Sequence, residues 1–280
     1  MTHRVVQRVV VAPHKFTGSM SADRAAHAIA QGIHGERPEL ELVEFPVADG
    51  GEGTVSLLVA KGFEPVTVLA SGPLGDPVTA TIAMKGGTAV IESASVAGLA
   101  QLGAGGPDAC TALQASTYGV GELIKAVIDH GATRIIVGLG GSASTDGGAG
   151  AVTALGGGVL GPEGLPVRHG GGGLTAASRL ELADLDVRLE HVEFIIACDV
   201  DNPLTGPSGA AFAYGPQEGA TSEQIRGLEA GLRQWANVVS ASVGSVLTRL
   251  RLRSALSPSG CARCTSKPAA SSASTAQYQP

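Results

Sequence analysis

Arg134-Ile135-Ile136-Val137-Gly138-Leu139-Gly140-Gly141-Ser142-Ala143-Ser144-Thr145-Asp146-Gly147-Gly148-Ala149-Gly150 passes from a short apolar run, through a loop of glycines and hydroxyls, into a helix start. A bounded apolar run of this length reads as a buried strand. Glycines allow successive backbone N–H groups to turn toward one anion, and Ser142, Ser144 and Thr145 add hydroxyl donors. Asp146, beside bare backbone, offers a carboxylate that can hold a metal ion next to phosphate oxygens. Gly140, Gly141, Ser142, Ser144, Thr145, Gly147 and Gly148 are therefore expected to bind phosphate or nucleotide, and Asp146 a metal. The loop is not a Walker A loop, because no Gly-Lys-Ser/Thr follows, and the Gly-x-Gly-x-x-Gly pattern fails at Ala143. The competing reading is a glycine-rich turn packed for compactness.

The Asp-Gly-Gly-x-Gly wording occurs a second time, upstream, as Asp49-Gly50-Gly51-Glu52-Gly53-Thr54 after the strand-like Val43-Glu44-Phe45-Pro46-Val47. Asp49 at a strand end reads as a base or metal ligand, or as the N-cap of the following helix. Asp199-Val200-Asp201-Asn202 follows the apolar Phe194–Cys198 and clusters oxygen ligands suited to Mg²⁺, or closes the strand as an Asx turn. Lys15 directly follows the first apolar run and can pair with a carboxylate or phosphate, or stand as an exposed cation. Two such glycine loops suggest a cleft lined by both.

Around these loops the text repeats strand, loop, helix. Strands are expected over 8–13, 40–47, 133–137 and 194–198. Helices are expected from Ser21, acting as N-cap, to about Gly32, over Thr54–Lys61 before Gly62, and over Val120–His130 before Gly131. Three β-rich runs, Glu64–Leu69, Val78–Met84 and Thr88–Glu92, are separated by turn signals and read as hairpins, so a second architecture is expected to begin near residue 68.

Composition narrows the function classes. The chain has 280 residues, 44% of them hydrophobic, with 41 glycines and only 3% aromatics. An aliphatic core of strands and Ala-rich helices follows, which is α/β architecture. Few rings and a net charge of −6 exclude stacking-based nucleic-acid recognition. No apolar run approaches the ~18 residues needed to cross a bilayer, and Met1–Arg8 lacks a signal-peptide core; a cytoplasmic protein is expected. Residues 231–280 hold six of the 19 basic residues and none of the 25 acidic ones. They end in Ser-Ala-Pro-rich text that reads as a disordered tail over 239–280. That tail is either a basic segment for an acidic partner or unrelated sequence in place of a natural C-terminus. Cys261-x-x-Cys264 has no second ligand pair for zinc and no preceding redox strand.

Taken in order, Val11-Ala12-Pro13-His14-Lys15-Phe16-Thr17-Gly18-Ser19-Met20-Ser21-Ala22, Pro46 to Thr54, Gly72-Pro73-Leu74-Gly75 and Ala89-Val90-Ile91-Glu92 resemble the bacterial glycerate kinase family. So do Ser116 to Ile124, Gly138 to Gly150, Ala197-Cys198-Asp199-Val200-Asp201-Asn202-Pro203-Leu204, and Gly209-Ala210-Ala211 with Tyr214-Gly215-Pro216-Gln217. The resemblance covers residues 8 to 238. It implies ATP- and Mg²⁺-dependent phosphorylation of D-glycerate, at the 2-hydroxyl. It also implies two lobes, a discontinuous flavodoxin-like domain beginning with residues 1–68 and an inserted restriction-enzyme-like α/β domain over 69–238. In that frame Asp49 and Lys15 are the expected catalytic residues, and Ser19, Gly50, Gly51 and Glu52 contact substrate. Asp146 or Asp199 would hold the metal. Two departures stand out: the family's first loop reads Pro-Asp-x-Phe-Lys-Gly, whereas His14 replaces its acid and Thr17 its lysine. Family members are also about a hundred residues longer, and the acid-free tail stands where their Gly/Ala-rich return segment would be. Rival readings are a ligand-binding homologue without turnover and a kinase for another small hydroxy acid.

Overall fold

A computed structural model of the chain describes residues 8–16, 19–48, 50–198, 200–243 and 251–254. The chain opens with a small unit. Strands β1 (Arg8–Val11) and β2 (Glu41–Glu44) pair in parallel, joined by helix α1 (Ala22–Glu36). Val11, Ala26 and Ala30 are buried between helix and strands, with Val9, Ile33 and Leu42 packed around them. Ser21 stands at the N-cap of α1 without capping through its side chain. Both strands are shorter than the sequence suggests.

Helix α2 (Thr54–Ala60) follows the first glycine loop, and then the main sheet begins. Strands β3 (Glu64–Ser71), β4 (Pro77–Lys85) and β5 (Thr88–Glu92) form the expected antiparallel run. The chain then crosses through α3 (Ala94–Ala97), a 3-10 segment, α4 (Thr111–Gln114) and α5 (Tyr118–Asp129) to β6 (Arg134–Gly138), which lies parallel to β5. After α6 (Ala149–Ala154), a small antiparallel pair of β7 (Gly158–Leu160) and β8 (Arg179–Glu181) intervenes. Strand β9 (Glu193–Ala197) then joins β6 in parallel. Helices α7 (Ala210–Tyr214) and α8 (Ser222–Val243) follow, and β10 (Arg251–Ser254) pairs with β9. The result is a six-stranded mixed sheet in the order β10-β9-β6-β5-β4-β3. Strand β10 lies within the segment 239–280, and residues 68 and 238 lie within β3 and α8.

Side-chain alternation along the strands sorts the helices. Ile82, Ala89, Ile91, Ile135 and Val137 pack with Leu123 and Val127 of α5 on one face. Ala83, Val90 and Ile136 point the other way and meet Val55, Leu58 and Val59 of α2. Each buried aliphatic side chain contributes roughly 1.5–3 kcal/mol. Helix α2 is therefore clamped to the sheet, and the glycine loop before it is drawn to the sheet's edge. A further core joins Leu228, Leu232 and Trp235 of α8 to Ala149, Val159, Leu174 and Leu180.

Candidate active site

Register places Glu92, Gly138 and Ala197 side by side at the C-terminal ends of three adjacent parallel strands. Open α/β sheets bind ligands outside this edge. The first Asp-Gly-Gly loop lies directly across it. A Cβ on Gly138 would stand 1.9 Å from the Gly50 carbonyl oxygen, and one on Gly140 would stand 2.9 Å from Gly51 Cα. Gly50 itself has φ +89°, and a Cβ there would come within 2.5 Å of the Ala197 carbonyl oxygen. Gly50 and Gly51, expected at the substrate, thus form the seam along which the two loops touch.

The second loop is braced from inside. Leu139 and Ala143 donate their N–H groups to Ala197 and Ala97, and the Ser142 and Ser144 hydroxyls share a 2.8 Å hydrogen bond. The N–H groups of Gly140, Gly141 and Ser142 have no protein acceptor among the described residues. Three adjacent uncommitted donors suit an anion.

Asp146, expected at a metal, lies inside the protein. Its side chain is wholly buried and accepts hydrogen bonds from Thr117 N at 2.8 Å, Gly148 N at 3.0 Å and Gly150 N at 3.2 Å. The Thr117 hydroxyl reaches both carboxylate oxygens, at 3.0 and 2.9 Å, and Ser116 Oγ lies at 3.4 Å. Five groups on two segments therefore converge on one carboxylate. These donors engage the lone pairs of the carboxylate within the protein. Thr145 is likewise buried, and its hydroxyl donates to buried Glu218. Burial pushes the Glu218 carboxyl up; the Thr145 hydrogen bond opposes this and the Asp146 charge reinforces it. From outside, the indole N–H of Trp235 on α8 donates to the Gly147 carbonyl at 3.0 Å.

Beside the seam opens a cleft of about 610 Å³, lined by His14, Lys15, Ser19, Glu52, Gly53 and Glu92 among others. This is the size of a small-molecule site. Lys15, Ser19 and Glu52, all expected from sequence, are brought together here. Lys15 Nζ lies 3.6 Å from Glu52 Oε2, and the lysine side chain is only 19% exposed whereas that of Glu52 is 72% exposed. Ser19 turns its hydroxyl back onto the Phe16 carbonyl. Asp49 and Asp199, the expected base and second metal ligand, lie outside the described residues, as does Thr17.

Glu92 was not among the residues expected at the site. It ends β5 with its side chain buried at the cleft, and its Oε1 accepts the Val55 N–H of α2 at 2.5 Å. Burial pushes its carboxyl up, against the opposing pull of the Val55 N–H and the Lys15 charge. The available signal was a lone acid closing an otherwise apolar strand, Thr88-Ala89-Val90-Ile91-Glu92. Glu218 carried no such signal, because it sits in a loop 73 residues from its partner Thr145.

The model of the glycerate kinase family matches residues 9–262, reaching past the 238 at which the motif resemblance stopped. A glycerate kinase of Bacillus subtilis (strain 168) is 43% identical over 241 residues, covering 85% of this chain and 62% of that protein. A glycerate 2-kinase of Escherichia coli (strain K12) is 40% identical over 240 residues, covering 84% and 62%. A crystal structure named as a glycerate kinase 2 from Salmonella typhimurium LT2 superposes with a TM-score of 0.72 at 38% identity, covering 88% of this chain and 66% of that one. The chain spans about 62% of the length of the curated relatives it matches. With most of its length matched by the family model, and with relatives well above 30% identity, the chain belongs to the glycerate kinase family.

Proposed function

We propose that this site transfers the γ-phosphoryl group of ATP to the 2-hydroxyl of D-glycerate, as a cytoplasmic enzyme acting on a small molecule. The observation that carries the reading is the seam. The second loop, with its uncommitted N–H groups, touches the first at Gly140 against Gly51, the neighbour of Glu52 in the cleft that holds Lys15. Phosphoryl transfer demands chiefly positioning and charge neutralisation. In the proposal Gly140, Gly141 and Ser142 receive the transferring phosphate, and Lys15 leaves its long contact with exposed Glu52 for the glycerate carboxylate. Asp49, adjacent in sequence to Gly50, orients or deprotonates the hydroxyl. Among the described residues no group of three or more His, Cys, Asp or Glu could hold a metal ion, and the Asp146 carboxylate is buried among hydrogen-bond donors. The unit of β1, β2 and α1 is read as part of a flavodoxin-like lobe, and the six-stranded sheet as the core of the inserted lobe.

One observation favours the reading of a ligand-binding chain without turnover. The small N-terminal unit leaves Val10, Phe16 and Phe45 more than half exposed, at 58%, 57% and 57%. A two-stranded sheet is marginal by itself. An assay of ADP release with Mg-ATP and D-glycerate, read together with detection of phosphoglycerate, separates the two. Glycerate-dependent ADP release is expected. Thermal stabilisation by glycerate and ATP without ADP release would instead establish the binding protein.

A further inference from the structure

We propose that Glu92 is a substrate-binding residue that receives a hydroxyl of the hydroxy acid while Lys15 receives its carboxylate. The inference deepens the glycerate reading and rests on it. Glu92 occupies the one point where the described elements of the site meet. It is level with Gly138 at the start of the second loop, and its neighbour Ser93 donates to the Gly138 carbonyl at 2.8 Å. It lines the cleft together with Lys15 and Glu52. The backbone N–H of Val55 holds it at the entrance to α2. A carboxylate has about four acceptor positions, so one backbone donor leaves room for a hydroxyl. Among the described residues no arginine or lysine forms an ion pair with Glu92 within 4 Å; Lys15 acts on it through its charge and has Glu52 as its ion-pair partner among them. A buried acid held by backbone rather than by a cation keeps its acceptor capacity for a ligand.

Capping α2 is the purely structural alternative, and the two roles separate by variant. Glu92→Gln keeps an oxygen for the Val55 N–H but replaces the carboxylate acceptor with an amide; Glu92→Leu removes both. Calorimetric titration of the 280-residue chain with D-glycerate and with propanoate, which lacks both hydroxyls, reads the hydroxyl contribution directly. Wild type is expected to prefer glycerate by about tenfold, in line with a charge-assisted hydrogen bond. The preference should fall at least threefold in Glu92→Gln and at least as far in Glu92→Leu, while propanoate binding stays within twofold and both variants melt cooperatively. If both variants keep the wild-type ratio, Glu92 is a cap only and the glycerate reading survives. A folded wild type that binds neither acid removes the glycerate reading and this inference with it. Should Glu92→Leu fail to fold, the Glu92→Gln ratio decides.

Discussion

The two Asp-Gly-Gly loops share their wording and divide the work. The first lies on the sheet edge and leads into Glu52 and Gly53 at an open cleft. In the second, Asp146 turns inward, where donors from Ser116, Thr117, Gly148 and Gly150 surround it. The difference comes from the neighbours. Gly150 presents no side chain to the start of α5, where a Cβ would meet Ser116 Oγ at 2.2 Å and Asp146 Oδ2 at 2.9 Å. The helix entrance can therefore close over the carboxylate. The same motif thus becomes a turn braced from inside in one context and a cleft wall in the other. Sequence identity of a loop says what it can bind; its packing says whether the side chain is still available.

Substitutions can break this contrast, and the largest effect belongs to the brace. Asp146→Ala orphans several buried donors at once, and at roughly 1–3 kcal/mol per orphan the stability loss should reach about 4 kcal/mol. Urea unfolding reads it; a variant as stable as wild type would return Asp146 to the ligand-binding side. Gly138→Ala forces a Cβ against the Gly50 carbonyl and should cost about 3 kcal/mol while driving the two loops apart. Loss of glycerate-dependent stabilisation should accompany that destabilisation, since the seam would no longer hold cleft and loop together.

A smaller effect concerns pH. Glu92 and Glu218 both have raised folded-state values, from the ordinary 4.5, chiefly through burial. Over the window between unfolded and folded values, the native protein holds protons that the unfolded chain has released. Their contribution is therefore complete below about pH 4.5 and is lost as pH rises through the folded values. Glu218→Gln should flatten part of that decline in melts recorded across the acid range, and a Glu218→Gln profile with the wild-type slope would show that Glu218 does not contribute. Glu52→Gln should change least. Its side chain is 72% exposed and its contact with Lys15 is 3.6 Å, so stability should move by less than about 0.5 kcal/mol. Glycerate affinity should instead rise or hold, because Lys15 is freed; a fall would place Glu52 in direct contact with the ligand.

Much of the fold was legible because its signals are local. The β3–β5 hairpins follow from Gly-Pro and Gly-Gly turns, and β6 and β9 from short apolar runs. The strand β10 was not legible: Arg251-Leu252-Arg253-Ser254 has no apolar run, and its pairing depends on an open edge offered by β9. For the site, Lys15, Ser19 and Glu52 were legible as polar residues after strands, and the structure gathers them. Glu218 was not, because its significance is a contact with Thr145 across the fold.

By itself, then, the sequence determined the α/β alternation, the two glycine loops and the family, since periodicity, turn chemistry and motif order are properties of neighbouring residues. Only the tertiary structure decided which Asp-Gly-Gly loop keeps an open face. Burial and hydrogen-bond saturation depend on residues distant in the chain, and Asp146 was settled by helix α5 closing on it rather than by the text around it.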